Sequence, residues 1–363
     1  MKKHARSDFF VVGCMFALWR GGLFILEKIA PNLWPLRKDF LGLVTPWANF
    51  DGAHYTSIAR DGYGVYQLAF FPIYPLLIRL MRLASSFPYE YIGVFISLGA
   101  FFIGLFLFWR YLEGSMGRGW SLVLFLVYPA SFFFAAAYSE SIFFALAIGT
   151  LLSIKRERWL LAGIVAGFAS ATRLVGVFLW LPLVITMWQK RRYLKVIDWI
   201  AVFIAPAGLA GYMVYLWKFV GDPLAFFHVQ SAFGAGRSGS EIIFLPQVLW
   251  RYARIFITVP TGDLLYHVAV LEFLTFVLGV ILLVAAWRKR YAFGLLLYSA
   301  CVLFLPSLTG TLSSMPRYLL ALFPLFPVFG EIRSSWVKLV ILIVFITLLV
   351  YATTGFLRGY FIS

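Results

Sequence analysis

Eleven stretches of this chain read as crossings of a lipid bilayer: residues 9–30, 92–109, 119–138, 141–154, 159–172, 174–188, 198–217, 264–287, 291–306, 318–330 and 338–357. A spanning helix needs about 20 mostly apolar residues, and in hydrocarbon its backbone polar groups must be satisfied within the segment. The pattern therefore predicts an all-α integral membrane protein, a single polytopic domain over residues 1–363. Composition agrees, with 62% hydrophobic residues, 13% charged residues and a mean hydropathy of +0.89. A soluble domain would carry roughly a quarter charged residues. A disordered chain would lack the 39 Phe, 19 Tyr and 13 Trp present here.

The net charge of +16 does not mark a nucleic-acid partner. That reading needs basic residues gathered on one folded face, whereas these are parcelled into short runs between apolar segments. Cys14 and Cys301 each sit inside an apolar stretch, which leaves no disulfide framework and no cysteine-rich metal site. No low-complexity tract, Gly-rich phosphate loop or internal repeat stands out.

The basic runs set the orientation, because Lys and Arg accumulate in short cytoplasmic loops. With the N-terminus inside, Lys2, Lys3 and Arg6, then Arg110 and Arg118, Lys155 to Arg158, Lys190 to Lys195, Arg288 to Arg290, and Arg333 and Lys338 all fall in the cytoplasm. The C-terminus then lies outside. This parity depends on 159–187 being two helices that turn at Arg173. As one helix it would run roughly 43 Å at about 1.5 Å per residue, against a hydrocarbon core of about 30 Å. By the same reading, 119–138 and 141–154 form a hairpin turning at Ser139-Glu140-Ser141. The basic start and apolar run Phe9–Trp19 resemble a signal peptide, but Arg20 follows at once without a small-residue cleavage site, so an uncleaved first helix is expected. Two outer segments are long, 31–91 and 218–263, and loops of that length usually carry function or structure of their own. The first joins a polar stretch, 49–63, to an apolar run ending at Met81, a pattern for interfacial helices lying along the membrane.

In such a chain the informative exceptions are charges near the bilayer, each of which costs roughly 3 kcal/mol or more at its centre. Asp51, His54, Glu140, Arg173 and Arg317 all fall at the outer boundary although they come from distant segments. Their convergence on one side marks a candidate site. Solvated or snorkelling side chains are the alternative.

The local sequences around them have a pattern of their own. Asn49-Phe50-Asp51-Gly52-Ala53-His54-Tyr55 leads to Ile58-Ala59-Arg60-Asp61-Gly62-Tyr63 and then to Phe70-Phe71-Pro72-Ile73-Tyr74-Pro75. Further blocks are Tyr128-Pro129-Ala130-Ser131 with Tyr138-Ser139-Glu140-Ser141, Ala171-Thr172-Arg173, and Ser314-Met315-Pro316-Arg317-Tyr318 leading into Leu322-Phe323-Pro324. In content and order these blocks resemble the PIG-V-like (GPI mannosyltransferase 2-like) mannosyltransferases of the GT-C class. The resemblance spans residues 49–324. One departure lies at the first block, which in the family usually reads Trp-Asp-Gly-x-Trp-Tyr, whereas Phe50 and His54 stand here at the two Trp positions.

The resemblance implies a GT-C fold and a mannosyl residue moved from a polyprenyl-phosphate-linked donor to a lipid, glycan or protein acceptor. The reaction would invert the sugar and face the non-cytoplasmic side of the cell membrane. Such chemistry passes through an oxocarbenium-like state, needing a base for the incoming hydroxyl and stabilisation of the departing anion. Asp51 is the expected base, since the class implies a carboxylate just after the first helix, and an Asx-type cap on a helix beginning near Gly52 is its alternative. Arg173 and Arg317 are expected at the lipid phosphate, guanidinium offering a fixed charge and a bidentate fork. Pairing of one of them with Glu140 competes with that role. The Met315–Tyr318 context places Arg317 in the first turn of a helix, whose N–H groups would add positive potential. Glu140 either assists acid–base work or holds Arg173. His54, three residues after Asp51 and so on the same helix side, is assigned with Tyr55 to the acceptor. An Asp/His pair offers too few ligands for a metal site, and no cofactor is expected. Asp61 beside Arg60 is the weaker alternative for the base. Anionic membrane lipids are the expected partners of the cytoplasmic basic runs.

A transporter or lipid flippase is the rival class, since it too would place polar residues in membrane helices. Such proteins show internal repeats and midplane charge, and here mid-helix charge is limited to Arg20 and Glu272. An intramembrane hydrolase lacks its Gly-x-Ser-x-Gly or His-Glu-x-x-His signature.

Overall fold

The computed structural model describes residues 2–37, 44–234 and 236–362. Residues 38–43 of the first long loop, and the side chains of Lys2, Lys3 and Arg6 from the N-terminal basic run, lie outside that description. Among the described residues every regular element is helical and no strand forms. The chain opens with α1 (Lys2–Leu33), and its first long loop carries α2 (Asp51–Asp61) and α3 (Ile73–Leu83). Then follow α4 (Tyr89–Tyr111), α5 (Arg118–Leu126), α6 (Glu140–Lys155), α7 (Trp159–Ser170), α8 (Trp180–Gln189), α9 (Ile200–Ile204) and α10 (Ala207–Val220). The second long loop holds α11 (Ala225–His228) and α12 (Leu245–Thr258). The chain ends with α13 (Leu264–Arg288), α14 (Phe293–Phe304), α15 (Met315–Ala321), α16 (Pro327–Gly330) and α17 (Ser335–Leu357).

Four of these segments, Ser7–Leu33, α4, α13 and α17, are long and apolar enough to cross a membrane. A fifth arises if Val196–Ile204 and α10 count as one span bent by 43°. The eleven expected crossings therefore do not appear as eleven long helices: 141–154, 159–172, 174–188 and 291–306 carry short ones, and three others are broken by proline. It removes a backbone donor and clashes with the preceding turn. Pro129 follows the end of α5, so 119–138 is helical only to Leu126 and continues as a 3-10 turn over Ser131–Ala135. Pro206 stands at the 43° bend, and Pro324 and Pro327 divide 318–330 into α15, a 3-10 turn and α16. Residues 159–187 are not one helix, as expected: α7 stops at Ser170 and Arg173 is extended, with φ −152°.

Interior packing is dominated by phenylalanine. Phe101 stacks on Phe134 with ring centroids 4.2 Å apart, and Phe125, Phe144, Phe323 and Phe326 surround them edge-on or tilted. The basic runs meet at one end of the bundle. Arg110 pairs with Asp8 at 2.9 Å, Lys289 with Glu331 at 2.5 Å, and Lys155 reaches the Tyr111 carbonyl. Glu140, at the opposite end of α6 from Lys155, marks the other end.

Small residues let α7 touch α9 and α10 backbone to backbone. A Cβ on Gly163 would lie 2.6 Å from Ala201 Cα, and one on Gly208 only 2.0 Å from the Gly167 carbonyl oxygen. Small residues four apart permit such approach where no hydrophobic effect drives helices together. This contact holds the end of α7, and with it Arg173 three residues on. Gly208→Val should therefore destabilise the protein by about 1–3 kcal/mol or more, read as a lowered thermal midpoint in detergent. Gly211→Ala, on the same helix but with no atom within 4 Å of the added carbon, should leave the midpoint level or raise it. Equal midpoints for the two variants would remove the close contact as a determinant.

Candidate active site

Asp51 is the first residue of α2 and follows a strained one. Phe50 has φ 55° and ψ −115°, a region that bulky side chains avoid at a cost of about 1–3 kcal/mol. Several tertiary contacts impose it. The Asn49 amide donates to the Phe356 carbonyl (2.9 Å), the Tyr138 hydroxyl to the Asn49 carbonyl (2.8 Å), and Ala137 N–H to the Trp47 carbonyl (2.8 Å). The Phe50 ring packs on Phe356 and Phe361. The strained turn aims Asp51 inward. Its carboxylate makes an ion pair rather than an Asx cap, and Phe50, the capping residue, gives no side-chain cap.

The partner is Arg317, whose Nη1 donates to Asp51 Oδ2 at 2.7 Å. Its other face grips Glu140, Nε at 2.9 Å and Nη2 at 2.6 Å from Oε1. Arg173 Nη1 reaches the same oxygen at 2.5 Å. Two guanidinium groups thus share one carboxylate oxygen, while Glu140 Oε2 is buried without a hydrogen-bond partner among the described residues. The Arg317 guanidinium also lies 4.9 Å from the centroids of both the Phe133 and Tyr138 rings, a cation–π setting that favours arginine. Side-chain exposure falls from 23% at Asp51 to 8% at Arg317 and 3% at Glu140. The carboxylate nearest solvent is Asp51.

Asp51, His54, Tyr55, Arg173 and Arg317 line one cavity of about 960 Å³. The structure thus brings five of the six expected site residues to a common wall. Glu140 does not line the cavity and lies behind the two arginines. The His54 ring is stacked on Phe70 at 4.9 Å and edge-on to Phe233. Tyr55 is buried, and its hydroxyl is shared with Ser139 at 2.8 Å. Asp61 sits apart, 58% exposed and bonded to Arg60. Among the described residues no three His, Cys, Asp or Glu side chains gather in a metal-binding group.

The remaining wall comes from groups that the sequence reading did not assign. Glu272, in α13, accepts from the Tyr252 hydroxyl through one oxygen and from Ser314 N–H at 3.2 Å through the other. Ser314, just before α15, is thus held by a carboxylate of the protein itself, and the first N–H groups of α15 are used within the chain, Met315 on the Leu312 carbonyl and Arg317 on the Ser314 carbonyl, which corrects the expectation that they add potential for a ligand anion. Glu272 had a legible signal, an ionisable side chain within an apolar helix. Arg237 and Arg251, from the second loop, also line the cavity, and charge in a polar loop carries no such signal.

Removing one partner from a buried ion network leaves uncompensated charge and costs about 3–5 kcal/mol. Glu140→Gln should therefore lower thermal stability steeply, and Arg317→Gln likewise. The double variant should lose clearly less than the sum, the mark of directly coupled groups. Additive losses would show that the two act independently. Neither a protein-family model nor a curated protein matches this chain.

Proposed function

We propose that this protein is an integral membrane glycosyltransferase of GT-C type that moves a mannosyl residue from a polyprenyl-phosphate donor to an acceptor hydroxyl, with inversion, on the non-cytoplasmic face. The observation that carries this reading is the composition of the cavity. Its lining joins Asp51 and several arginines to apolar side chains, among them Ile255, Leu264, Leu265 and Val268. A lipid-linked anion needs both. Likeness of the Asn49–Tyr55, Tyr138–Ser141 and Ser314–Tyr318 blocks to the PIG-V-like enzymes supplies the sugar and the donor class. In this reading the short and broken helices complete the eleven crossings, with the N-terminus cytoplasmic. The first long loop lies along the outer interface, a placement supported by the exposed apolar side chains of α3, Leu76, Leu80 and Leu83.

The reaction follows from the same groups. The acceptor oxygen attacks the sugar C1 from the face opposite the phosphate while Asp51 takes the hydroxyl proton. The C1–O bond breaks, and its electron pair leaves on the polyprenyl phosphate. Arg317 fixes Asp51 through Oδ2, orienting the carboxylate toward its substrate. Arg173 and Arg317 form the charged floor beneath the phosphate, and Glu140 positions both. His54 and Tyr55 shape the acceptor side, Tyr55 through its packing on Phe70 and Tyr74.

Asp51→Asn keeps the shape and removes the proton acceptor, so transfer of labelled sugar from a polyprenyl-phosphate donor, followed by mass, should fall about 10²-fold or more. Asp61→Asn should change it little. Equal, mild effects would end the assignment of Asp51 as base, and a donor that crosses the bilayer with its sugar bond intact would identify a transporter instead. Orientation is tested separately. In a Cys14→Ser, Cys301→Ser background, Arg192→Cys should resist an impermeant thiol reagent applied outside intact cells, and labelling there would reverse the orientation.

A further inference from the structure

Beside Arg37, Arg251, Asp263 and Glu272, which also line the cavity, two sets of charges at its floor and rim do different work. Asp51, Glu140, Arg173 and Arg317 are mutually paired, and their formal charges cancel. That floor offers a phosphate little net attraction. Arg237 is different. Its Nη2 donates to the hydroxyls of Ser313 (3.2 Å) and Ser314 (3.3 Å), and its Nη1 lies 3.4 Å from the Gln230 amide oxygen. All three partners are neutral, and among the described residues no carboxylate lies within ion-pair distance of it. Glu272 faces Arg237 and Arg251 at longer range, outside ion-pair contact with Arg237, and its oxygens are held by neutral donors, the Tyr252 hydroxyl and Ser314 N–H.

The chain holds Arg237 in place with unusual care for a loop. Gly236 takes φ +59°, and a Cβ there would lie 2.7 Å from the Arg251 guanidinium, which donates to the Gly236 and Gly310 carbonyls at 3.1 and 3.2 Å. On the other flank Ser238 N–H bonds the Thr309 carbonyl at 2.8 Å, and Ile243 N–H the Leu308 carbonyl at 3.0 Å. The segment bearing Arg237 is thereby strapped to the segment that leads into Arg317. A half-buried guanidinium, fixed by neutral acceptors and facing a cavity with an apolar flank, is suited to an anionic oxygen group.

We infer that Arg237, brought to the cavity by the second long loop, sets the affinity of this site for a phosphate group, above a floor whose own charges are matched. The inference rests on the proposed lipid-phosphate reading only for the source of that phosphate. It is tested on the full chain in nanodiscs with three probes: a polyprenyl phosphate, the corresponding polyprenol, and inorganic phosphate. Arg237→Gln should weaken polyprenyl-phosphate binding about tenfold or more and leave polyprenol binding as in the wild type. Arg237→Lys, which keeps the charge without the fork, should show a smaller loss, and it serves where the glutamine variant fails to fold. Wild-type affinity for polyprenyl phosphate in both variants would overturn the assignment while leaving the donor class intact. Phosphate binding that depends on Arg237, with polyprenyl phosphate bound no better than inorganic phosphate, would support the subsite and overturn the lipid-donor reading.

Discussion

One carboxylate oxygen, Glu140 Oε1, is the point on which the arrangement of the site depends. It receives three guanidinium nitrogens, two from Arg317 and one from Arg173. Taking charges out of water costs several kcal/mol per ion, and that cost is offset only by close, well-directed partners. Glu140 and Arg317 satisfy the condition together because Arg317 also meets Asp51 and two aromatic faces. The consequence is positional. Segments as far apart in sequence as residues 51 and 317 are drawn to one point, and each of the four charged groups can be buried only because the others are there.

That convergence is imposed on backbone that would otherwise avoid it. Both ends of the Asp51–Arg317 bridge are preceded by a non-glycine residue in the left-handed region, Phe50 with φ 55° and Ser314 with φ 66°. Each has its own restraint: Asn49, Phe356 and Tyr138 around the first, Glu272 and Arg237 on the second. Strain of this kind persists where surrounding contacts over-determine the geometry, and it gathers at functional sites. Asp51 is exposed enough to meet a substrate while held by a bond that a looser turn could not align.

Much of this was legible in the sequence, and the reason is scarcity. In a chain with 13% charged residues, Asp51, Glu140, Arg173 and Arg317 stand out at the edges of apolar stretches, and they do meet. Glu140 was legible as a partner of arginine, but hydropathy does not say that it lies behind them rather than at the cavity wall. The long helices were legible from apolar length alone. The short helices α6 and α7 were legible too, but the breaks within 119–138, 198–217 and 318–330 were not, because apolar length registers side chains, whereas Pro129, Pro206, Pro324 and Pro327 act on the backbone. The two loop arginines were hidden for the opposite reason, since charge in a polar loop is ordinary and only tertiary contact with Ser313, Ser314 and Gly310 gives it meaning.

The division between a neutral interior network and a cationic rim follows from where the charges sit. A group buried as deeply as Glu140 must be matched inside the protein, so a network built on it fixes geometry but exerts little net field on a ligand. Net attraction has to come from groups nearer water, whose charge can be left unmatched at small cost. On the proposed reading, Arg237 holds the anion and Asp51, the most exposed member of the matched network, performs the chemistry. The strap between residues 236–243 and 308–310 then has a clear purpose. It fixes the rim to the chain that carries Arg317, so that an anion held by one is registered against the carboxylate oriented by the other.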